Sequence, residues 1–222
     1  MKSDQSTNFV AVMNPLQRAL IEKAGHDNGF ENVLQSGGVG AELGSARHPA
    51  KVSVTVSGDG FWGAVQSGSA TLAQELSRSF PLSGVPAQGF ALATEAALAR
   101  WLRRAAVLSQ ALPNQAVVAF EAQLQQALVA MPAAAAQTTE VQRMVRQRVG
   151  QQAYRQAMLD YWGGACAVTG LALPQALRAS HAKPWAECAS DAERLDVFNG
   201  FLLSANLDVL FPAARNWVNC LT

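Results

Sequence analysis

The chain has 222 residues, half of them hydrophobic and 15% charged, with seventeen Lys and Arg against sixteen Asp and Glu. This composition excludes a disordered, collagen-like or highly charged protein and leaves room for one or two small globular domains. Three cysteines without a C-x-x-C spacing point to neither a disulfide framework nor a thiolate zinc site, so no structural zinc and a reducing, cytoplasmic setting are expected. No apolar run follows Met1-Lys2-Ser3-Asp4-Gln5, and the most apolar stretch, Ala127 to Ala136, contains Pro132, so secretion and membrane insertion are not expected.

Asn14-Pro15 reads as an N-cap and first helical residue, and Leu16, Leu20 and Ala24 give a short apolar stripe before Gly29. Val52, Val54 and Val56 alternate with Ser53, Thr55 and Ser57. Asp59-Gly60 then turns the chain into Phe61-Trp62-Gly63-Ala64-Val65, the pattern of a hairpin with one buried face. Helices are expected at about 70–80, 91–112 and 115–130, the middle one setting Leu98, Leu102 and Leu108 against Arg100, Arg103 and Arg104, a solvated charged face. His26 and His48 lack ligand-spaced neighbours and read as surface residues. The expectation for residues 1–131 is a small α+β domain, and these residues by themselves indicate very little about its role.

Met131 to Thr139, proline followed by small and hydroxyl residues, reads as a linker, placed at 132–139. Residues 1–140 hold nine basic and ten acidic residues, and residues 141–222 hold eight and six, so the positive excess lies late in the chain. Thr139-Glu140-Val141-Gln142 has the form of a capping box, and Val141, Val145, Val149, Ala153 and Ala157 follow at a spacing of four. A helix over about 140–161 is expected, its other faces carrying Arg143, Arg146, Arg148 and Arg155, which suits either solvent or a polyanion.

The chemistry-bearing blocks come next: Cys166-Ala167-Val168-Thr169-Gly170; Arg178-Ala179-Ser180-His181-Ala182-Lys183-Pro184-Trp185; Leu195-Asp196-Val197-Phe198-Asn199-Gly200-Phe201-Leu202-Leu203; and Asn206-Leu207-Asp208-Val209-Leu210-Phe211. In this order they resemble the HNH nuclease family, in the branch of restriction endonucleases. The resemblance extends back through Gln147-Arg148-Val149-Gly150-Gln151 and Tyr154-Arg155 to cover about residues 140–211. It implies a C-terminal ββα-metal module over 140–222, and hence an α+β chain overall.

From that resemblance His181 is expected to be the general base that deprotonates the attacking water, a task suited to imidazole because it titrates near neutral pH. Asn199 is expected to tie the loop together and orient the base. Asp208, where many relatives have histidine, is expected to bind Mg²⁺ or another divalent cation such as Mn²⁺, with Asn206 either a carbonyl ligand or a helix cap. Arg178, Lys183, Arg148 and Arg155 are the expected DNA contacts; Trp185 and Phe198 read as core. Ser180 stands where many relatives have an acid, and Thr169 where some have a second zinc-binding cysteine.

After Phe211 the chain reads Pro212-Ala213-Ala214-Arg215-Asn216-Trp217 where relatives continue with Asp-Arg-Gly and a strand, and a frameshift or truncation is the expectation. The implied function is metal-dependent hydrolysis of double-stranded DNA, of restriction type, with a homodimer expected for double-strand cutting. The alternative is a DNA-binding remnant whose catalysis is impaired.

Overall fold

The computed structural model describes residues 12–58, 60–80, 89–113, 115–132 and 138–211. The chain forms two compact units, Met1–Ser109 and Gln110–Thr222. The expected linker at 132–139 falls largely on residues outside those described, as do Asp59 of the hairpin turn and the whole tail after Phe211.

The first unit begins with helix α1, Pro15–Asp27, opened by a reciprocal cap in which the Asn14 side chain accepts from the Gln17 backbone and the Gln17 side chain from that of Asn14. Five antiparallel strands follow in spatial order: β1 Asn32–Ser36, β2 Gly40–Gly44, β3 Lys51–Ser57, β4 Gly60–Ser67 and β5 Phe90–Leu92. Helix α2, Leu72–Ser77, lies between β4 and β5 in the chain, and α3, Glu95–Ala111, follows β5. The register pairs Leu43 with Val52, Val54 with Gly63 and Phe61 with Leu92, so one face collects Ala41, Leu43, Val52, Val54, Val56, Phe61, Phe90 and Leu92, all buried. Leu98, Trp101, Leu102 and Leu108 of α3 are buried too, with the Trp101 ring 5.6 Å from that of Phe90.

The hairpin and α3 thus follow the sequence pattern, with two corrections. Residues 90–92 form an edge strand, and the helix begins at Glu95. His48 is buried, its ring meeting the edge of Phe30 at 4.9 Å and its Nε2 lying 3.1 Å from the Gly29 carbonyl. Arg103 donates to Asn28 and so is partly spent on local structure.

The second unit contains α4, Gln115–Val129; α5, Thr139–Tyr161; β6, Leu177–His181; α6, Asp191–Arg194; β7, Gly200–Ser204; and α7 over residues 205–211. β6 and β7 form an antiparallel ribbon in which Leu177 faces Ser204 and His181 faces Gly200. Helix α5 begins one residue before the expected start, but its N-cap is Thr138 and that side chain makes no capping hydrogen bond. Of the expected stripe, Ala153 and Ala157 are buried, whereas Val141, Val145 and Val149 are not. A spacing of four advances 40° per step on a helix with 100° per residue, so the valines drift off the packed face and are half-buried. Gly150, Ala153, Tyr154, Ala157, Met158 and Tyr161, spaced by three and four, hold one face and are buried.

Candidate active site

The ribbon and α5 bring His181 against aromatic and backbone partners. As the last residue of β6 its ring is half-buried and stacks on Tyr154 of α5, with centroids 3.8 Å apart and planes 22° apart. Trp185 meets the same ring edge-on at 5.6 Å. Nε2 lies 2.8 Å from the Arg194 carbonyl oxygen. A carbonyl can only accept, so Nε2 carries the proton in the neutral ring and the lone pair lies on Nδ1.

Asn199 precedes β7 and closes the loop between the strands. Its Oδ1 accepts from the Lys183 backbone at 2.9 Å, its Nδ2 donates to the Glu193 carbonyl at 3.1 Å, and its own carbonyl accepts from Ala182 and from the Tyr154 hydroxyl. Gly200 beside it is required by crowding. A Cβ there would overlap the Ser180 carbonyl and the Tyr154 hydroxyl. Burial pushes the Tyr154 hydroxyl well above the ordinary phenol range, with the charges of Asp196 and Cys188 adding to the effect, so at neutral pH it remains a donor.

The opposite side of the ribbon carries the carboxylate. Ser180 and His181 are adjacent in an extended strand and project to opposite faces. Ser180 is buried and donates to Asp208 Oδ1 at 2.5 Å, fastening α7 one residue away from the histidine. Asn206, the second residue of α7, is exposed and lies inside the helix, so it is not the cap. Residues two apart on a helix do not face each other, so the helix alone does not set Asn206 beside Asp208.

Cys166 is buried in a turn closed by the Gly170 amide on its carbonyl, and its sulfur accepts from the Ser204 amide at 3.3 Å. Burial raises the thiol, but hydrogen bonds from the Thr169 hydroxyl and from the Thr169, Val168 and Ser204 amides outweigh it and hold the pKa down at about 6. The residue at 169 thus contributes a hydroxyl donor in place of a second thiolate.

Compared with models of known families, residues 166–216 match that of the HNH endonucleases. This segment is similar to the HNH endonucleases. Compared with curated proteins and with solved structures, the chain has no significant match.

Within the matched segment, His181 and Asn199 share the loop just described, whereas Asp208 is tied to Ser180, whose side chain leaves the other face of β6. The basic candidates separate into two groups. Arg155 is spent on structure, donating to the Leu177 and Pro174 carbonyls at 2.7 Å and so pinning α5 to the start of β6. Arg148, Arg178 and Lys183 are exposed, Lys183 pairing with Glu193 at 2.5 Å. That pair raises the Lys183 pKa and lowers that of Glu193. Trp185 packs on α5 where Gly150 leaves room, since a Cβ there would lie 2.6 Å from the indole. Phe198, expected in the core, is 47% exposed and touches only the edge of Tyr161 among the ring contacts.

Sequence reasoning overlooked Tyr154 as a platform for the histidine and Arg194 as its carbonyl partner. Arg194 also lines a cleft of about 320 Å³ with Arg143, Arg146, Gln147, Trp185 and Asp191. No spacing rule exposes a backbone acceptor, whereas the aromatic at 154 on the buried stripe of α5 was a usable signal.

HNH endonucleases generally use divalent metal ions. Among the described residues no three His, Cys, Asp or Glu side chains gather closely enough to enclose a metal. Mg²⁺ is less demanding, because it keeps several waters and takes its remaining oxygens from one or two carboxylates and substrate phosphates. Asp208 fits that role: a carboxylate offers about four lone-pair sites and the Ser180 hydroxyl occupies one. The donor set therefore suits a cation held jointly with substrate.

Proposed function

We propose that this protein is a metal-dependent endonuclease of restriction type that hydrolyses phosphodiester bonds in double-stranded DNA. The observation that carries the reading is the oriented imidazole at the end of β6: stacked on Tyr154, fixed through Nε2 by a carbonyl, and separated by one residue from the site that fastens Asp208.

In this reading His181 takes the proton of the attacking water at Nδ1, the ring nitrogen that carries the lone pair. Asn199 is a positioning residue. Its amide spans Lys183 and Glu193 and keeps the loop beside the imidazole closed. Asp208 would hold the cation, and when bound the cation offsets the charge that builds on the phosphate. Lys183, Arg178 and Arg148, all exposed, are the phosphate contacts, and the domain expected over residues 1–131 selects the site. Two copies acting on opposite strands would give double-strand cleavage.

One observation favours the second reading, a DNA-binding remnant with impaired catalysis: the Asp208 carboxylate is already engaged by a serine, and no three-donor cluster surrounds it among the described residues. Incubating supercoiled plasmid with the full chain and Mg²⁺ or Mn²⁺ separates the two. Nicked or linear product that disappears with chelator supports the enzyme, whereas retarded but uncut plasmid supports the remnant.

A further inference from the structure

The Nε2 atom of His181 meets the carbonyl of Arg194, and this carbonyl belongs to the connection between β6 and β7, whose regular structure is a single 3₁₀ turn and the four-residue α6. Such a connection needs side-chain ties to hold one backbone atom in place. Arg194 supplies them itself. Its Nε donates to the Trp185 carbonyl at 3.2 Å, its Nη2 to the Cys188 carbonyl at 2.5 Å and its Nη1 to Asp191 Oδ1 at 3.1 Å. The guanidinium carbon lies 5.8 Å from the centre of the Trp185 ring, and that ring meets His181 edge-on. Asp191 also pairs with Arg146 of α5, so the same network fastens the loop to the helix that carries Tyr154. The side chain is 24% exposed, which places these bonds in a partly desolvated setting.

A guanidinium is a rigid planar fork with five donors, and here it bonds three separate points of one loop. An ammonium at the same place lacks the fork and cannot reproduce this set.

We propose that Arg194 is a positioning residue for the base: its side chain locks the loop so that its own carbonyl holds the proton of His181 on Nε2 and keeps the lone pair on Nδ1. The consequence for cleavage rests on the nuclease reading; the consequence for the tautomer does not. Losing the lock lets the carbonyl move, the ring samples both tautomers, and the productive one is diluted and misaimed.

The test uses the full-length chain labelled with ¹⁵N. Long-range ¹H–¹⁵N spectra at alkaline pH distinguish protonated from unprotonated ring nitrogens, and the His181 signals are assigned by their loss in His181→Ala. The wild type should show one tautomer, protonated at Nε2, and Arg194→Ala a mixture. Single-turnover nicking by Arg194→Ala should fall by about tenfold to a hundredfold, as a misplacement of about an ångström can cause. The dissociation constant for uncut DNA in Ca²⁺ should stay unchanged, and added guanidinium ion should restore part of the rate.

Should Arg194→Ala fail to fold by circular dichroism, Arg194→Lys, which keeps the charge but not the fork, should show the same mixture in smaller proportion. An unchanged single tautomer in a folded variant overturns the proposal, as does a rate loss matched by the loss of DNA binding. If the wild type cuts nothing, the nuclease reading fails by itself, and the spectra alone decide the role of Arg194.

Discussion

The Tyr154 ring lies nearly parallel to that of His181 at 3.8 Å, and the Tyr154 hydroxyl reaches the Asn199 carbonyl at 3.2 Å. One side chain of α5 therefore supports the first histidine and the central asparagine of the motif together. Tyr154→Phe keeps the stack and loses one hydrogen bond, so thermal or urea denaturation should show a loss of about 1 kcal/mol with nicking largely preserved. Tyr154→Ala removes the platform and leaves a cavity, and should cost about 3–5 kcal/mol and most of the nicking activity.

Close approach at two glycines gives a second prediction. Gly200→Ala directs a methyl group against the Ser180 backbone and the Tyr154 hydroxyl, neither of which can swing away, and should destabilise the protein by about 1–3 kcal/mol or more. Gly150→Ala crowds the far end of the Trp185 side chain and meets Phe120 at an ordinary contact distance. Its denaturation midpoint should fall less than that of Gly200→Ala, while the tryptophan fluorescence spectrum shifts as Trp185 moves.

Ser180 and Asp208 predict a metal dependence. Ser180→Ala removes the 2.5 Å bond that fixes the carboxylate, so the concentration of Mg²⁺ giving half-maximal nicking should rise severalfold. The rate at saturating Mg²⁺ should change far less. An unchanged Mg²⁺ titration would show that Asp208 does not depend on the serine for its orientation.

Cys166 predicts a pH effect of definite sign. The folded pKa is held at about 6, below the ordinary thiol range, so between the two the folded state releases this proton while the unfolded state still binds it. The contribution is fully present above the unfolded pKa and is lost as pH falls through about 6. Cys166→Ser should flatten the rise in stability between these limits, as read from denaturation midpoints against pH. Thr169→Val should move the Cys166 thiolate absorbance titration upward, because its hydroxyl donor is gone.

What could be read beforehand followed from periodicity and motif order. Val52, Val54 and Val56 announce a half-buried strand, and the run from Val141 to Ala157 announces the helix but only part of the face it buries. Strands β1 and β2 lack that alternation: four of the five β1 residues are exposed, and glycines bound β2. Phe90-Ala91-Leu92 passes for the start of a helix because three residues are too few to show a period of two. The order of the His181, Asn199 and Asp208 blocks was visible in the sequence, but the partners that orient them were not. These are carbonyls and a serine hydroxyl brought in by the fold, and such contacts leave no mark on spacing.

The central claim is that the imidazole at residue 181 activates the water that cleaves DNA. Single-turnover nicking of supercoiled plasmid in Mg²⁺, comparing wild type with a folded His181→Ala that binds the same plasmid, tests it most directly. The account predicts a rate lower by about 10²–10⁴-fold in the variant with binding unchanged. Equal rates for the two proteins, or uncut plasmid with both, would contradict it.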